Sequence, residues 1–349
     1  MCLVSWRSAC HTAHVIWRGE GMSMQDEIEG ISTGSGGARR EPSGLRRAVD
    51  RLKAARDAVV LAHYYVAPEV QELADHVGDS FYLAKLAKTL PQRTIVLAGV
   101  AFMGESAKLL NPEKTVLLPE PAADCPMAHM VQRRTIDEAR AAWGDDLAVV
   151  CYVNSTMEAK SWSDVCVTSS NAVKICSELP QRHILFIPDR NLGRYVAEQL
   201  PGKHVILNRG FCPRHQAISL DELIDLKEAH PDALVLAHPE CTEEVLAEAD
   251  YIGSTSGIIE YAAASEAREF IIVTVRGVIY ELRRRCAGQG KRFHFTRTVP
   301  TCINMDAITV GKLLRCLETG SGEVEIGLDG DARDRAARAL DRMLELAAR

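Results

Sequence analysis

The sequence predicts an α/β protein built from three small α/β domains, with parallel sheets arranged with pseudo-threefold symmetry around a central site. Short β-branched runs alternate with helical stretches along the chain, which is the pattern of parallel sheets covered by helices. The order of these runs also repeats, with a period of about 87 residues. This period is longer than that of ordinary solenoid repeats, so it favours three separate domains over an extended array.

The first predicted strand of each repeat is an apolar run that leads to a polar residue. The runs are VVLAHYY ending at Tyr65, AVVCYVN ending at Asn154 and LVLAHPE ending at Glu240. Tyr65 and Tyr152 lie 87 positions apart, and Tyr152 and His238 lie 86 apart. Ligands of parallel sheets bind beyond the carboxyl ends of the strands. We therefore expect these three strand ends to face one site.

A turn of small residues follows the first strand of each repeat, after a helix. The turns GDS, TSSN and GSTSG contain Ser80, Ser169 and Ser254, which are spaced by 89 and 85 positions. Such turns offer hydroxyl and backbone N–H groups to anions, although a single serine there is often an ordinary N-cap. Two further strands are predicted in each repeat, beginning near Thr94 and Thr115, near His183 and His204, and near Glu269 and Arg292.

Each repeat then reaches a cysteine in loop-like sequence. Cys125 lies in ADCPMA, Cys212 in GFCPRH and Cys302 in PTCINM, at spacings of 87 and 90. Three thiolates without an obvious fourth ligand suit an iron–sulfur cluster with one open iron, which can act as a Lewis acid. They also suit a zinc site completed by His215, although spacings near 90 residues are unlike structural zinc modules. A third possibility is that they are core cysteines at equivalent positions.

The chain contains 11 cysteines and no C-x-x-C motif, so a metal site would need ligands from distant parts of the chain. In a reducing compartment this number favours metal binding or catalysis over disulfides. The other eight are predicted to pack in the core or lie at the surface, and they are Cys2, Cys10, Cys151, Cys166, Cys176, Cys241, Cys286 and Cys316.

Composition argues against two classes of partner. The formal net charge is −6 and the pI is near 6.0, whereas nucleic acid and acidic membranes require a concentrated basic face. The apolar run at 59–62 is far shorter than the roughly 20 residues that span a bilayer. We expect a cytoplasmic protein that binds neither nucleic acid nor membrane.

The predicted domain boundaries follow the repeat. Residues 1–44 are predicted to be a disordered extension without a secretory signal, and translation could begin at Met1, Met22 or Met24. The α/β domains are predicted at 45–129, 130–216 and 217–305. Residues 306–349 are predicted to form a helical segment that packs back on the fold, because the stretch after Gly327 has an amphipathic pattern.

Several motifs in order make the chain resemble the quinolinate synthase family from about Leu45 to Leu314. They are AHYY with VQELAD and GDS, FMGESAKLLNP, YVNS, SDVCVTSSNA, GFCPRH, AHPEC, DYIGSTSG and CINM. The resemblance implies three α/β domains around a [4Fe–4S] cluster. It also implies condensation of iminoaspartate with dihydroxyacetone phosphate to quinolinate, with loss of phosphate and two waters, in NAD biosynthesis. L-Aspartate oxidase is the implied supplier of iminoaspartate.

The resemblance also implies roles for individual residues. The implied cluster ligands are Cys125, Cys212 and Cys302, and the implied acid–base residues are Tyr65, His238 and Glu240. The implied substrate-binding residues are His63, Ser80, Tyr152, Asn154, Ser169, His215, Ser254 and Thr255. Each role has a plainer alternative, such as a capped strand end or an ion pair. For acid–base work we expect the pKa of Glu240 to be raised toward neutrality.

One departure from the family pattern and two competing functions remain. After the third-domain strand many relatives carry a Thr-Glu pair, whereas this chain has Thr274, Val275 and Arg276, which puts an acidic role there in doubt. The first alternative function is a cluster-based redox sensor or electron carrier. The second is a zinc-stabilised α/β binding protein.

Overall fold

The computed structural model describes residues 44–298 and 300–349. The predicted extension, residues 1–44, lies outside this range except for Gly44, which begins the first helix. Twelve strands are described: β1 Ala58–His63, β2 His76–Gly78, β3 Thr94–Ala98, β4 Thr115–Leu117, β5 Leu147–Tyr152, β6 Val165–Val167, β7 His183–Ile187, β8 His204–Leu207, β9 Leu234–Ala237, β10 Tyr251–Ile252, β11 Glu269–Val273 and β12 Arg292–His294.

The helices lie mostly between the strands. They are α1 Gly44–Arg56, α2 Pro68–Leu73, α3 Ser80–Ala87, α4 Ala101–Leu110, α5 Arg133–Trp143, α6 Met157–Ser161, α7 Ala172–Glu178, α8 Arg190–Gln199, α9 Pro213–Gln216, α10 Leu220–Ala229, α11 Glu243–Leu246, α12 Thr255–Ala264, α13 Ile279–Arg285, α14 Ile303–Asp306, α15 Val310–Thr319 and α16 Gly330–Ala348. Short 3-10 turns occur at Pro126–His129, Gly144–Asp146 and Arg276–Val278.

The strands form three four-stranded parallel sheets with one topology. The strand orders are β2-β1-β3-β4, β6-β5-β7-β8 and β10-β9-β11-β12, so the first strand of each unit lies at the same inner position. All the strand pairs within the sheets are parallel. The prediction of three small α/β units with parallel sheets is therefore confirmed, as are the predicted starts of β3, β4, β7, β8, β11 and β12.

The structure differs from the expectation at the second strand of each unit. β2, β6 and β10 were not predicted, and they end at or immediately before the predicted small-residue turns. These strands have two or three residues, too few to give a periodic pattern. The first strands also end two or three residues before Tyr65, Asn154 and Glu240, because the chain has already left the sheet when it reaches them.

The inner strands are buried on both faces. Every residue of β1 and of β5 is buried, without the alternation of a half-exposed strand. Helices cover both faces of a parallel sheet, and the burial of Val60, Leu61 and Val150 follows from this. At about 1.5–3 kcal/mol for each buried aliphatic side chain, these strands anchor the residues that follow them.

The last helix, α16, packs against the first two units. Asp329 caps it by accepting from the N–H of Ala332. Its buried stripe includes Ala336, Leu340 and Met343, one turn apart, and it contacts α4, α6, α7 and β6. Of the helices between 44 and 349, none is long and apolar enough to cross a membrane, with Val299 left out of this search.

Candidate active site

One cavity is lined by residues from all three units, beyond the carboxyl ends of the strands. It adjoins a wider open groove of about 980 Å³, with which it shares Asp79 and Ser169. Ten of the eleven predicted catalytic and substrate-binding residues, and all three predicted cysteine ligands, line the cavity: His63, Tyr65, Ser80, Tyr152, Asn154, Ser169, His215, His238, Glu240, Thr255, Cys125, Cys212 and Cys302.

The three cysteines occupy equivalent positions. Cys125, Cys212 and Cys302 each precede a short helical turn and act as its N-cap residue. Burial raises the pKa of each of the three thiols, and backbone N–H groups of the turn act in the opposite direction: those of Met127 and Ala128 for the first, Arg214 and His215 for the second, and Asn304 and Met305 for the third. Such N–H groups favour a thiolate, which is the form that binds metals.

The other described cysteines are placed differently. Cys151, Cys166, Cys176, Cys241, Cys286 and Cys316 are buried, whereas the three cavity cysteines are partly exposed. Cys241, which adjoins Glu240, is fully buried and its Sγ lies 3.5 Å from the carbonyl oxygen of Val273. Among the described residues no fourth cysteine lines the cavity. The donor set at the cavity therefore fits a cofactor held by three thiolates.

The first and third strand ends share one local arrangement. His63 Nδ1 accepts from the N–H of Tyr65 at 3.1 Å, and His238 Nδ1 accepts from the N–H of Glu240 at 3.3 Å. In a neutral imidazole the other nitrogen, Nε2, then carries the hydrogen. His238 Nε2 can thus donate to Ser169 Oγ at 3.2 Å. The same backbone contact fixes the tautomer of both histidines.

Both strand-end histidines are neutral near pH 7. Burial lowers the pKa of His63 to about 4, against an opposing effect of the Glu240 carboxylate. Burial lowers the pKa of His238 to about 3, again opposed by Glu240 and assisted by His215 and His63. Uncharged imidazoles in this cavity can donate hydrogen bonds without adding charge.

Glu240 is held by partners on both carboxylate oxygens. Tyr152 donates its hydroxyl to Oε1 at 2.6 Å, and His215 Nδ1 lies 2.7 Å from Oε2. Burial alone would raise the pKa of Glu240, but His215, His238 and Tyr152 outweigh it and keep the pKa below the usual range. This result differs from the raised pKa expected from the sequence, because the sequence does not reveal how many donors meet the carboxylate.

Tyr65 is held by two threonine hydroxyls. Its hydroxyl lies 2.8 Å from Thr255 Oγ1 and 2.8 Å from Thr274 Oγ1. Burial, and then the Glu240 charge, raises the pKa of Tyr65 well above its usual value. The phenol is therefore protonated at neutral pH and can donate a hydrogen bond.

The small-residue turns do not all reach the cavity. Ser80 begins α3, Thr255 begins α12, and Ser169 lies just before α7. Ser254 lines the outer groove instead, and its hydroxyl caps α12 by accepting from the N–H of Gly257 at 3.1 Å. Of the four predicted hydroxyls, the structure brings three into the cavity.

Several residues at the cavity were not predicted from the sequence. Arg214, Asn304 and Val275 line it, and Thr274 lies behind it, fully buried. Arg214 and Asn304 belong to the GFCPRH and CINM motifs, in which only the cysteines and His215 were assigned roles. Thr274 directly follows β11, and the rule that sites lie beyond strand ends could have found it.

Within the described part of the chain, two groups of side chains each bring three possible metal ligands within 4.8 Å of one another. The group Cys212, His215 and Glu240 belongs to the cavity. The second group lies on the third unit outside the cavity and consists of His230, Glu269 and His294.

Comparisons with known proteins agree with this site. The family model described as quinolinate synthetase A protein matches residues 47–345. Quinolinate synthase of Fusobacterium nucleatum is 48% identical over 303 residues, covering 87% of this chain and 99% of the relative. Quinolinate synthase of Caldicellulosiruptor saccharolyticus is 43% identical over 302 residues, covering 86% of this chain and 98% of the relative. That of Clostridium perfringens is 44% identical over 302 residues, covering 86% of this chain and 99% of the relative. This chain belongs to the quinolinate synthase family.

Proposed function

We propose that this protein is a transferase that condenses iminoaspartate with dihydroxyacetone phosphate to quinolinate in NAD biosynthesis, with loss of phosphate and two waters. One observation carries the proposal beyond family membership. Three cysteines from three different units face a single cavity that also holds His63, Tyr65 and Glu240. A purely structural metal site would not need neutral imidazoles and an ionised carboxylate beside its ligands.

Family membership implies a metal cofactor, and we propose that it is a [4Fe–4S] cluster held by Cys125, Cys212 and Cys302. When bound, a cluster with one open iron supplies a Lewis acid for a substrate oxygen or nitrogen. The partial exposure of these three sulfurs to one cavity supports their assignment as the ligands.

The side chains around the cysteines suit an anionic substrate pair. His63 presents its Nε2–H to a carboxylate, since its Nδ1 is occupied by the Tyr65 amide. His238 holds the oxygen of Ser169, which leaves the serine hydrogen free to donate into the cavity. Arg214 adds a positive charge to the lining. Together with Ser80 and the amide of Asn154, these groups bind and orient the substrates.

Proton movement falls to Glu240 and Tyr65. Glu240 is ionised at neutral pH, so it acts as a proton acceptor in the isomerisation and dehydration steps rather than as an acid. Tyr65 is protonated and acts as a hydrogen-bond and proton donor to a substrate oxygen. The two pKa values are displaced in opposite directions, so at neutral pH the carboxylate is held ionised and the phenol is held protonated.

A zinc site is the second candidate, and one observation favours it. Cys212, His215 and Glu240 bring three ligand atoms within 4.8 Å. Zinc at this group would leave Cys125 and Cys302 without a role, although both face the same cavity. An electron carrier is less suited still, because it needs no substrate cavity.

Further proposals concern the setting of the enzyme. We propose that it works in the cytoplasm and receives iminoaspartate from an L-aspartate oxidase, because iminoaspartate is unstable. We also propose that residues 45–129, 130–216 and 217–305 are its three domains, each contributing one cluster ligand, with 306–349 as a helical segment against them.

Quinolinate formation by anaerobically purified protein tests the proposal, with iron and sulfide counted in the same sample. We expect product from the wild type. The variants Cys125→Ala, Cys212→Ala and Cys302→Ala should lose about 10³-fold or more of this activity, because a Lewis acid is worth several kcal/mol at the transition state. Cys176→Ala is the matched control, since that cysteine is buried outside the cavity.

The metal content separates the alternatives. Iron and sulfide near four each per chain, lost in the three cavity variants and retained in Cys176→Ala, support the cluster and its ligands. One zinc per chain, with no sulfide, would establish the zinc site instead. A full cluster without product would refute the proposed reaction and leave an electron carrier.

A further inference from the structure

Glu240 follows a strand of the third unit, but the second unit holds its side chain. Its two carboxylate partners are Tyr152, the last residue of β5, and His215, which lies in α9 after β8. Its backbone N–H donates within the third unit, to His238 Nδ1 at 3.3 Å. Its backbone carbonyl again meets the second unit, because it accepts from Nδ2 of Asn191 at 2.9 Å. Asn191 is therefore a further contact between the second unit and the proposed proton acceptor.

The carbonyl of Glu240 lies outside regular secondary structure. β9 ends at Ala237 and α11 begins at Glu243, so the chain turns between them. Glu240 is buried in this turn, and a buried backbone carbonyl without a partner is costly in free energy. The amide of Asn191 supplies the hydrogen bond that a neighbouring strand would otherwise supply. This bond fixes the direction of the peptide group that follows Glu240.

Asn191 is itself held firmly. It is the second residue of α8, which Asp189 caps by accepting from the N–H groups of Asn191 at 2.7 Å and Leu192 at 2.9 Å. Its side chain is buried, and Nδ2 also lies 3.3 Å from Oε1 of Gln216, which accepts from Arg190 at 2.9 Å. Both neighbours of Nδ2 are acceptors, so the amide is oriented with its nitrogen toward them.

Asn191 is not in position to contact substrate. It does not line the active cavity, whereas Glu240 does. It lines a separate pocket of about 250 Å³ together with Arg194 and Glu243, which form an ion pair between α8 and α11. Any effect of the Asn191 side chain on the reaction must therefore pass through the groups that it bonds.

We propose that Asn191 is a positioning residue, whose side-chain amide holds the backbone of Glu240 where its carboxylate meets Tyr152 and His215. The backbone of Glu240 comes from one unit and its carboxylate partners from another, so a direct bond between the units keeps them aligned. Aspartate has the shape of asparagine but presents an oxygen in place of the Nδ2 donor. Asn191→Asp would therefore set a carboxylate against the Glu240 carbonyl and release that backbone.

This inference rests on the proposed function, because its main measurement is quinolinate formation. We expect Asn191→Asp to lower kcat by about 10²-fold with KM changed by less than about 3-fold, the size of effect that a small misplacement of a reacting group produces. The matched control is Asn111→Asp. Asn111 is also buried, and its Nδ2 donates to the carbonyl of Ala107 at 2.9 Å in the first unit.

The control variant separates positioning from the general cost of a buried charge. Asn111→Asp with a full cluster should keep kcat within about 3-fold of the wild type. Equal losses of kcat in the two aspartate variants would overturn the proposal. If Asn191→Asp does not fold, Asn191→Ala and Asn111→Ala carry the same comparison, because alanine removes the donor without adding a charge.

A double-mutant cycle tests whether Asn191 acts through Glu240. In a Glu240→Gln background, Asn191→Asp should lower kcat by less than about 3-fold more, because the carboxylate that it positions is already absent. A further 10²-fold loss in that background would overturn the proposal, since Asn191 would then act through another group.

A crystal structure of the Asn191→Asp holoenzyme gives a readout that does not depend on activity. The carboxylate of Glu240 should lose its contact with Tyr152 or His215, with iron and sulfide content unchanged. Both contacts at their wild-type distances in an impaired variant would overturn the positioning role. Wild-type protein with a full cluster and no product would instead refute the proposed function, and the position of Glu240 would still report on Asn191.

Discussion

Two parts of the third unit carry similar side chains in different surroundings. In the cavity beyond the carboxyl end of its sheet, Glu240 bonds Tyr152 through Oε1 and His215 through Oε2. At the other end, Glu269 begins β11 and pairs with Arg292 through Oε1. Its Oε2 lies 3.3 Å from His230 Nδ1 and 3.1 Å from His294 Nε2. Glu240 thus holds one histidine and a tyrosine hydroxyl, whereas Glu269 holds two histidines and an arginine.

The two groups differ in burial and in what lies beside them. The side chains of Glu240 and His215 are 5% and 1% exposed, whereas those of Glu269 and His230 are 19% and 32% exposed. The first group faces a cavity with three cysteines. In the second, the imidazoles of His230 and His294 stack on each other, with centroids 3.7 Å apart. We infer that the same residue types serve chemistry in the cavity and local packing at the other end.

The largest expected difference is in activity. Glu240→Gln keeps the shape of the side chain but cannot accept a proton at the same atom, so quinolinate formation should fall by about 10³-fold. Glu269→Gln is the matched control and should keep activity within about 2-fold. The measurement is kcat at saturating substrates, with iron content confirmed equal in both variants.

Equal losses in the two glutamine variants would break the comparison. They would mean that activity depends on the stability of the third unit rather than on the Glu240 carboxylate. A loss of iron in Glu240→Gln alone would give that residue a role in holding the metal site.

The sequence predicted the residues beyond the carboxyl end of this sheet unequally well. The 87-residue period brought His238 and Glu240 into register with Tyr65 and Tyr152, because repeated strands end at equivalent places. No such period relates the residues around Thr274, whose two contacts come from positions 209 and 59 residues away. Side-chain hydrogen bonds between units depend on how the three sheets face each other, and a local pattern does not contain that information.

A smaller difference is expected in the pH dependence of stability. Burial lowers the pKa of His238 to about 3 and that of His294 to about 4, while an unfolded histidine titrates near 6.5. Between these values the unfolded state binds more protons, so stability falls as the pH falls, by up to about 1.4 kcal/mol per pH unit for each group. The effect should be larger for His238, because solvent screens the more exposed His294.

Urea unfolding of metal-free protein at several pH values between 6.5 and 4.5 measures this effect. His238→Gln should flatten the fall in unfolding free energy more than His294→Gln does. The reverse order would mean that the imidazole of His294 is less accessible to solvent than its 19% exposed side chain indicates.

The smallest expected effect concerns the outer group alone. Glu269→Gln should lower the free energy of unfolding by about 1 kcal/mol, because a half-buried carboxylate with three cationic or N–H partners is worth more than a surface ion pair. The control, Glu138→Gln, removes a surface ion pair in which the side chains of Arg134 and Glu138 are 84% and 63% exposed. It should lower the free energy of unfolding by less than about 0.5 kcal/mol. Urea unfolding at pH 7 compares the two. If Glu269→Gln lowers the free energy of unfolding no more than Glu138→Gln does, burial at the amino end of the sheet is too slight to strengthen the ion pairs of Glu269. The contrast between the two ends of the sheet would then rest on the cavity alone.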